Sequence, residues 1–178
     1  HMDPVYTISI IPTGMGAAGY TMPLPDNDEM FNTKNKMLED ITTLLGGRVA
    51  EEIIFGDITT GASNDIKRAT ETARSMVMKY GMSEKIGLIA YGNDDDEVFI
   101  GRDLAHTRGY SEEVAREIDG EISRIIRECH ENAESIIREN IGVLHSCAAL
   151  LLEKEKIHRE EFEALFTTEK EEVAKTNE

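Results

Sequence analysis

One segment of the chain places a carboxylate at the start of a predicted helix, directly after a loop that contains glycine. The segment is 55–66, and the carboxylate belongs to Asp65. Composition alone favours a capping or dipole-stabilising aspartate, because negative charge is favourable at the positive end of a helix. The alternative is a metal ligand, since a carboxylate on a fixed helix end can complete a site whose other ligands lie elsewhere. Spacing within this sequence does not decide between the two.

A second segment, 47–52, also concentrates polar groups next to glycine. Arg48 and Glu52 are four residues apart, and we expect them to form a surface ion pair worth a few tenths of a kcal/mol. Glu51 lies near Gly46 and Gly47, where the backbone can approach a neighbour closely. It is therefore an alternative candidate for a buried group that supports a metal ligand.

The remaining candidates for catalysis are weaker. The five histidines are His1, His106, His130, His145 and His158. No two of them are three or four residues apart, so no pair can share one helix face and bind a metal. We expect His106 to lie in a surface loop, and His130 and His145 to be structural. Ser63 has no histidine near it in sequence to act as a base, and no G-x-x-x-x-G-K phosphate loop is present.

Charge and composition exclude several classes of protein. The formal net charge is −16, and Lys and Arg do not cluster, which argues against a nucleic-acid partner. No apolar run approaches the ~20 residues that cross a bilayer, and no signal peptide opens the chain, so we expect the chain as printed to be soluble. Cys129 and Cys147 are too few for a disulfide framework and are predicted to be buried, reduced thiols.

The first quarter of the chain carries the predicted strands. We interpret residues 1–2 (His-Met) as a cloning scar and expect the natural sequence to begin at Asp3, within a longer protein. Residues 5–11 and 19–24 are rich in β-branched and aromatic side chains and end at turn residues, which predicts a small hairpin.

Helices are predicted for most of the remainder. The first helix starts at an N-cap Thr33 and ends at Gly56, with Gly46-Gly47 marking close backbone packing or a bend. A second helix, capped by Ser63 or Asp65, ends at Gly81. An exposed acidic loop (Asp94, Asp95, Asp96) follows, and then helices begin at Ser111 and span 143–152 and 159–166.

These elements predict a mainly α (α+β) fold with a small N-terminal β-hairpin and a C-terminal antiparallel helical bundle. The predicted organisation is a scar at 1–2, a core at 3–110, a bundle at 111–166 and a flexible tail at 167–178.

Several motifs occur in order along the chain, namely 44–52 (LLGGRVAEE), 55–57 (FGD), 60–66 (TGASNDI), 80–83 (YGMS) and 101–103 (GRD). Together they resemble the C-terminal peptidase domain of FtsH-type, membrane-anchored AAA+ zinc metalloproteases, which implies that the core at 3–110 is a peptidase core without its H-E-x-x-H helix. The likeness continues through 110–112 and 151–155, and so covers almost the whole chain.

The resemblance implies a zinc metalloendopeptidase in which an H-E-x-x-H helix supplies two ligands and a general base. The third ligand of the family matches Asp65, with Glu51 or Glu52 as the alternative. This sequence contains no H-E-x-x-H, so we predict that the chain as printed has no complete catalytic set, binds zinc weakly if at all and hydrolyses nothing.

The resemblance also implies the partners. Protein substrates would add as extended chains to a sheet edge formed by Ala18, Gly19 and Tyr20. The whole protein would be a homo-hexamer in the cell membrane, with ATP bound at a module outside this chain and the peptidase on the cytoplasmic side. An alternative interpretation is a non-catalytic helical scaffold or oligomerisation module.

Overall fold

The computed structural model describes residues 4–12, 19–24, 31–91 and 110–176. Five helices and three short strands occur within these ranges, so the predicted mainly α fold with a small sheet is confirmed. The elements are β1 (Val5–Ser9), β2 (Tyr20–Pro23), α1 (Lys34–Phe55), α2 (Ser63–Met78), α3 (Glu112–Glu139), α4 (Ile141–Lys154), β3 (Lys156–His158) and α5 (Arg159–Thr176). Three features predicted above lie outside the described residues, namely Ala18, the acidic loop Asp94 to Asp96, and His106.

The chain divides into two compact units. One comprises the described parts of His1–Phe31 and Ser135–Glu178, and the other comprises those of Asn32–Glu134. The first unit contains the sheet with α4 and α5, and the second contains α1, α2 and most of α3.

The sheet of the first unit has the strand order β2-β1-β3, with both pairs antiparallel. The predicted pairing of the first two strands is confirmed, and Ile8 lies opposite Thr21 on one side and Ile157 on the other. Strand β3 was missed by the sequence analysis because three residues, K-I-H, are too short to carry a periodic pattern. Ile157 is fully buried, and it anchors this strand in the core of the unit.

The second unit is built on the packing of α1 against α2, with α3 completing the core. Apart from Met76, the fully buried side chains of its core are small or branched. The cluster includes Ile41, Leu45, Ala69, Ala73, Met76, Val77, Ile118, Ile125 and Cys129. Burying each large aliphatic side chain stabilises the fold by about 1.5–3 kcal/mol before conformational entropy is subtracted.

Helix α1 begins and ends at the residues that the sequence predicted. The Thr33 side chain accepts a hydrogen bond of 3.2 Å from the Lys36 amide, and Gly56 adopts a left-handed φ of 63° as the C-cap. The close backbone packing predicted at Gly46 and Gly47 is wrong, because a Cβ built on either residue meets no atom of the described chain within 4 Å. The helix passes through both glycines without interruption.

Helix α5 is longer than predicted, and two apolar residues of the C-terminal helices are exposed. Helix α5 continues through Thr176, beyond the predicted end at 166. Leu152 and Ile136 are apolar residues of the predicted helices, but they are 80% and 56% exposed. Among the described helices, none is long and apolar enough to cross a bilayer by itself, and only α3 with α4, joined at a 74° bend, passes that test as a pair.

Candidate functional site

Asp65 lies in the first turn of α2, on the helix that the sequence analysis expected. The helix begins at Ser63, which is one residue earlier than a Ser63 cap would give and three earlier than an Asp65 cap would give. The buried Ala62 occupies the N-cap position and makes no side-chain hydrogen bond. The prediction that Ser63 or Asp65 caps α2 is therefore wrong, since both residues already lie within the helix. The negative charge of Asp65 still lies at the positive end of the helix, where it is favourable.

The Asp65 carboxylate is accessible. Its side chain is 45% exposed, and its Oδ1 atom lies 3.9 Å from Nη1 of Arg68, one turn along the same face. Both partners are exposed, so an ion pair of this length contributes at most about 1 kcal/mol and gives way readily to a stronger partner. The geometry leaves the carboxylate oxygens open to a ligand from outside the helix.

The described residues offer a metal ion one carboxylate and no complete set of ligands. The described parts of the chain contain no group of three or more His, Cys, Asp or Glu side chains that could hold a metal ion. A catalytic zinc takes three protein ligands, so one carboxylate does not make a site. Asp65 fits zinc as a single donor, the described chain does not fit it as a complete site, and no zinc-dependent step follows from these residues alone.

Glu51 and Glu52, the alternative candidates for the zinc ligand, both contact other residues of the chain. Glu51 accepts hydrogen bonds from Thr59 through both oxygens, at 2.7 Å from the hydroxyl and 3.1 Å from the amide. These bonds, more than the nearby Arg48, hold the pKa of the Glu51 carboxyl below its ordinary value. Glu52 instead lies 3.2 Å from Nε2 of His130 on α3.

The predicted ion pair between Arg48 and Glu52 is wrong. Arg48 lies 3.9 Å from Glu51, three residues on, and its Nη2 donates a 2.9 Å hydrogen bond to the carbonyl of Thr59. The loop after α1 folds back over this face of the helix. The polar groups of Thr59 in this loop bind the side chains of Arg48 and Glu51. The role of Thr59 could not be predicted from the sequence, because a contact between a loop and a helix face leaves no periodic pattern.

The predicted substrate edge lies in the other unit. Strand β2 pairs only with β1 among the described strands, so its far edge has no strand partner there, and Tyr20 is 40% exposed. Gly19 has a structural reason to be glycine, because a Cβ at this position would lie 2.4 Å from the Ser9 carbonyl oxygen. Ala18 lies outside the described residues, so the edge is defined here by Gly19 and Tyr20.

His158, His145 and both cysteines also lie within the described residues. His158 Nδ1 lies 3.0 Å from the hydroxyl of the buried Thr7, which ties β3 to β1, and His145 is exposed on α4. Cys129 is buried and Cys147 is partly buried, and burial raises the pKa of both thiols. A raised pKa disfavours the nucleophilic thiolate.

Comparison with known proteins covers nearly the entire chain. The profile of peptidase family M41 matches residues 1–165. Three similar proteins are the ATP-dependent zinc metalloproteases FtsH 1 of Thermoanaerobacter sp. (strain X514), FtsH of Caldicellulosiruptor bescii and FtsH of Thermotoga maritima. They are 55%, 55% and 48% identical over 93%, 92% and 96% of this chain. The aligned part makes up 27%, 26% and 28% of those proteins, so the chain spans about a quarter of the length of these relatives.

Proposed function

This chain belongs to peptidase family M41, and we propose that it forms part of the proteolytic domain of a longer, ATP-dependent zinc metalloprotease, called the parent protein below. The observation that carries the proposal is the position of Asp65. An accessible carboxylate lies on a rigid helix start inside the segment TGASNDI, in a chain about half identical to zinc metalloproteases.

Asp65 would act as one zinc ligand in the parent protein. Two histidine ligands and a glutamate general base would come from an H-E-x-x-H helix, a motif that the printed sequence does not contain. In such sites, zinc polarises a carbonyl and lowers the pKa of its bound water. The contribution of this chain is to present the carboxylate from a fixed backbone, since α2 packs on α1 through the fully buried Ala69, Ala73 and Met76.

The open edge of β2 is the proposed site of substrate capture. An extended polypeptide can add to a free strand edge through main-chain hydrogen bonds, which recognise any sequence. Gly19 lets the start of β2 lie close against β1, and the exposed Tyr20 follows it. This mode of binding suits protein substrates of varied sequence, both membrane and cytosolic.

The wider assembly is proposed from the relatives. The parent protein would bind ATP at a module outside this chain and form a homo-hexamer. It would be anchored in the cell membrane by segments outside this chain, with the peptidase on the cytoplasmic side. Unfolded substrates would then reach a ring of peptidase sites, which matches the unspecific capture expected of a strand edge.

A hydrolysis assay tests this proposal. The printed chain should cleave neither an unfolded protein nor a peptide, with or without added zinc, because one carboxylate cannot hold the metal or replace the general base. The parent protein should cleave both, lose activity to a chelator and regain it with zinc. Chelator-sensitive proteolysis by the printed chain would contradict its predicted inactivity. A parent protein without H-E-x-x-H and without zinc-dependent activity would instead favour the helical scaffold.

A further inference from the structure

The loop between α1 and α2 is held from one side by α1. Thr59, in the middle of this loop, presents three polar groups to two side chains one turn apart on α1. Its hydroxyl and amide donate to Glu51, and its carbonyl accepts from Arg48. Residues three apart on a helix lie on the same face, so a single face of α1 binds the whole of Thr59.

Helix α2 begins without a side-chain cap. The N-terminus of α2 has four backbone amides that lack intrahelical partners, and its N-cap residue, Ala62, has no side-chain acceptor. The preceding loop is fixed against α1 instead, where Glu51 and Arg48 bind Thr59 from partly buried positions, with side chains 23% and 14% exposed.

The constraint extends from Thr59 to Asp65 through short local bonds. The Thr59 hydroxyl also accepts from the Gly61 amide at 3.1 Å, and the Thr60 carbonyl accepts from Ser63 at 3.1 Å. The Ala62 carbonyl accepts from Ile66 at 3.0 Å, which closes the first turn of α2 around Asp65. A shift of Thr59 away from α1 would therefore change the direction in which the helix start presents its carboxylate.

We propose that Glu51 and Arg48 are positioning residues, which clamp Thr59 to α1 and thereby orient Asp65 toward the metal. This inference rests on the proposed function, because it assigns a purpose to the orientation of Asp65. The two residues do not touch the metal, and they act only through Thr59 and the loop. Glu52, next in sequence, faces His130 and has no part in the clamp.

The zinc affinity of the parent protein, measured by competition with a chelator, tests the proposal. Glu51→Gln places an amide N–H against a Thr59 donor, and Thr59→Val removes the hydroxyl with little change in volume. Each should weaken zinc binding about tenfold or more, as loss of groups that orient a metal ligand generally does. Glu52→Gln is the matched control and should bind zinc as the wild type does, while Thr59→Ser, which keeps the hydroxyl, should restore the affinity.

Hydrogen exchange separates the clamp from a general loss of stability. In the printed chain, the Thr59 amide should be protected, and Glu51→Gln should lose that protection while the core amides of α1 and α2 keep theirs. If Glu51→Gln and Thr59→Val both bind zinc as tightly as Glu52→Gln does, the clamp does not position the metal ligand and the proposal is overturned. If Glu51→Gln does not fold, Thr59→Val with its rescue by Thr59→Ser decides the question alone.

A failure of the proposed function would look different. Asp65→Asn should abolish zinc binding whatever the state of the clamp. If Asp65→Asn binds zinc normally, Asp65 is not a ligand and the proposed function fails at that point. If Asp65→Asn loses zinc while the clamp variants keep it, only the positioning role is wrong.

Discussion

The hydroxyl of Ser83 donates a 2.6 Å hydrogen bond to Oε2 of Glu121, across 38 positions of sequence. Ser83 follows α2 and Glu121 lies on α3, and both are buried, at 3% and 6% exposure. Ser83 also accepts from the amide of Ile86, while Arg124 donates to both oxygens of Glu121. The bond therefore ties the chain that leaves α2 to α3 through a buried, charged acceptor.

Ser83→Ala should destabilise the fold by about 1–3 kcal/mol. The change removes a donor from a buried carboxylate and an acceptor from the Ile86 amide, and unsatisfied buried polar groups are costly. Urea unfolding of the printed chain measures the effect. Ser135→Ala removes an exposed hydroxyl that donates to Glu139 on the next turn of the same helix. It is the control and should shift the free energy of unfolding by less than about 0.5 kcal/mol. Equal effects of the two changes would contradict the role given to Ser83.

The stability of the chain should fall in acid partly through Glu121. Hydrogen bonds from Arg124, and then from Ser83, hold the pKa of the Glu121 carboxyl below its ordinary value of 4.5. A carboxyl whose folded pKa is lowered stabilises the fold fully above pH 4.5, and this contribution is lost as the pH falls through the folded pKa. Glu121→Gln should therefore be less stable than the wild type at pH 7. Its free energy of unfolding should also fall less than that of the wild type between pH 5 and pH 3.

The exposed Glu131, on the same helix, provides the comparison for that experiment. Glu131→Gln should leave the difference in stability between pH 5 and pH 3 close to that of the wild type. An acid dependence in Glu121→Gln as steep as in Glu131→Gln would show that the Glu121 charge is not linked to folding.

Gly19→Ala and Gly46→Ala should have opposite effects. A Cβ on Gly19 would lie 2.4 Å from the Ser9 carbonyl and 3.0 Å from the Ile10 Cα, both backbone atoms, so β2 must move away from β1. Overpacking of this kind destabilises by about 1–3 kcal/mol. A Cβ on Gly46 meets no described atom within 4 Å, and Ala in a helix interior is favoured over Gly by about 1 kcal/mol. Thermal unfolding checks both, and a stabilising Gly19→Ala would refute the close approach.

The elements of this fold could be predicted where a local signal specifies them. Thr33 and Gly56 delimit α1 because an N-cap oxygen and a left-handed C-cap act within a few residues. Ser111 marks the start of α3 in a similar way, because its hydroxyl accepts a hydrogen bond of 3.3 Å from the Val114 amide. The start of α2 was misplaced because its N-cap is an alanine held by packing, which carries no local signal.

Only part of the candidate site could be predicted, because only the position of Asp65 depends on a local signal. The position of Asp65 on a helix start follows from the glycine-containing loop and the helical pattern after it. The pairing of Arg48 and Glu51 with Thr59 could not be predicted, because it depends on how a loop folds back over a helix. Ion-pair spacing alone favoured Arg48 with Glu52 as readily as with Glu51, and the tertiary contact decided between them.

Zinc content tests the central claim most directly. The parent protein, purified without chelators, should carry one zinc ion per chain by elemental analysis, and Asp65→Asn should carry close to none while remaining folded. Asp57 is an exposed aspartate in the loop before α2, and its carboxylate accepts from the Ile58 amide, so Asp57→Asn should retain the metal. One zinc per chain in Asp65→Asn would contradict the assignment of Asp65 as a ligand.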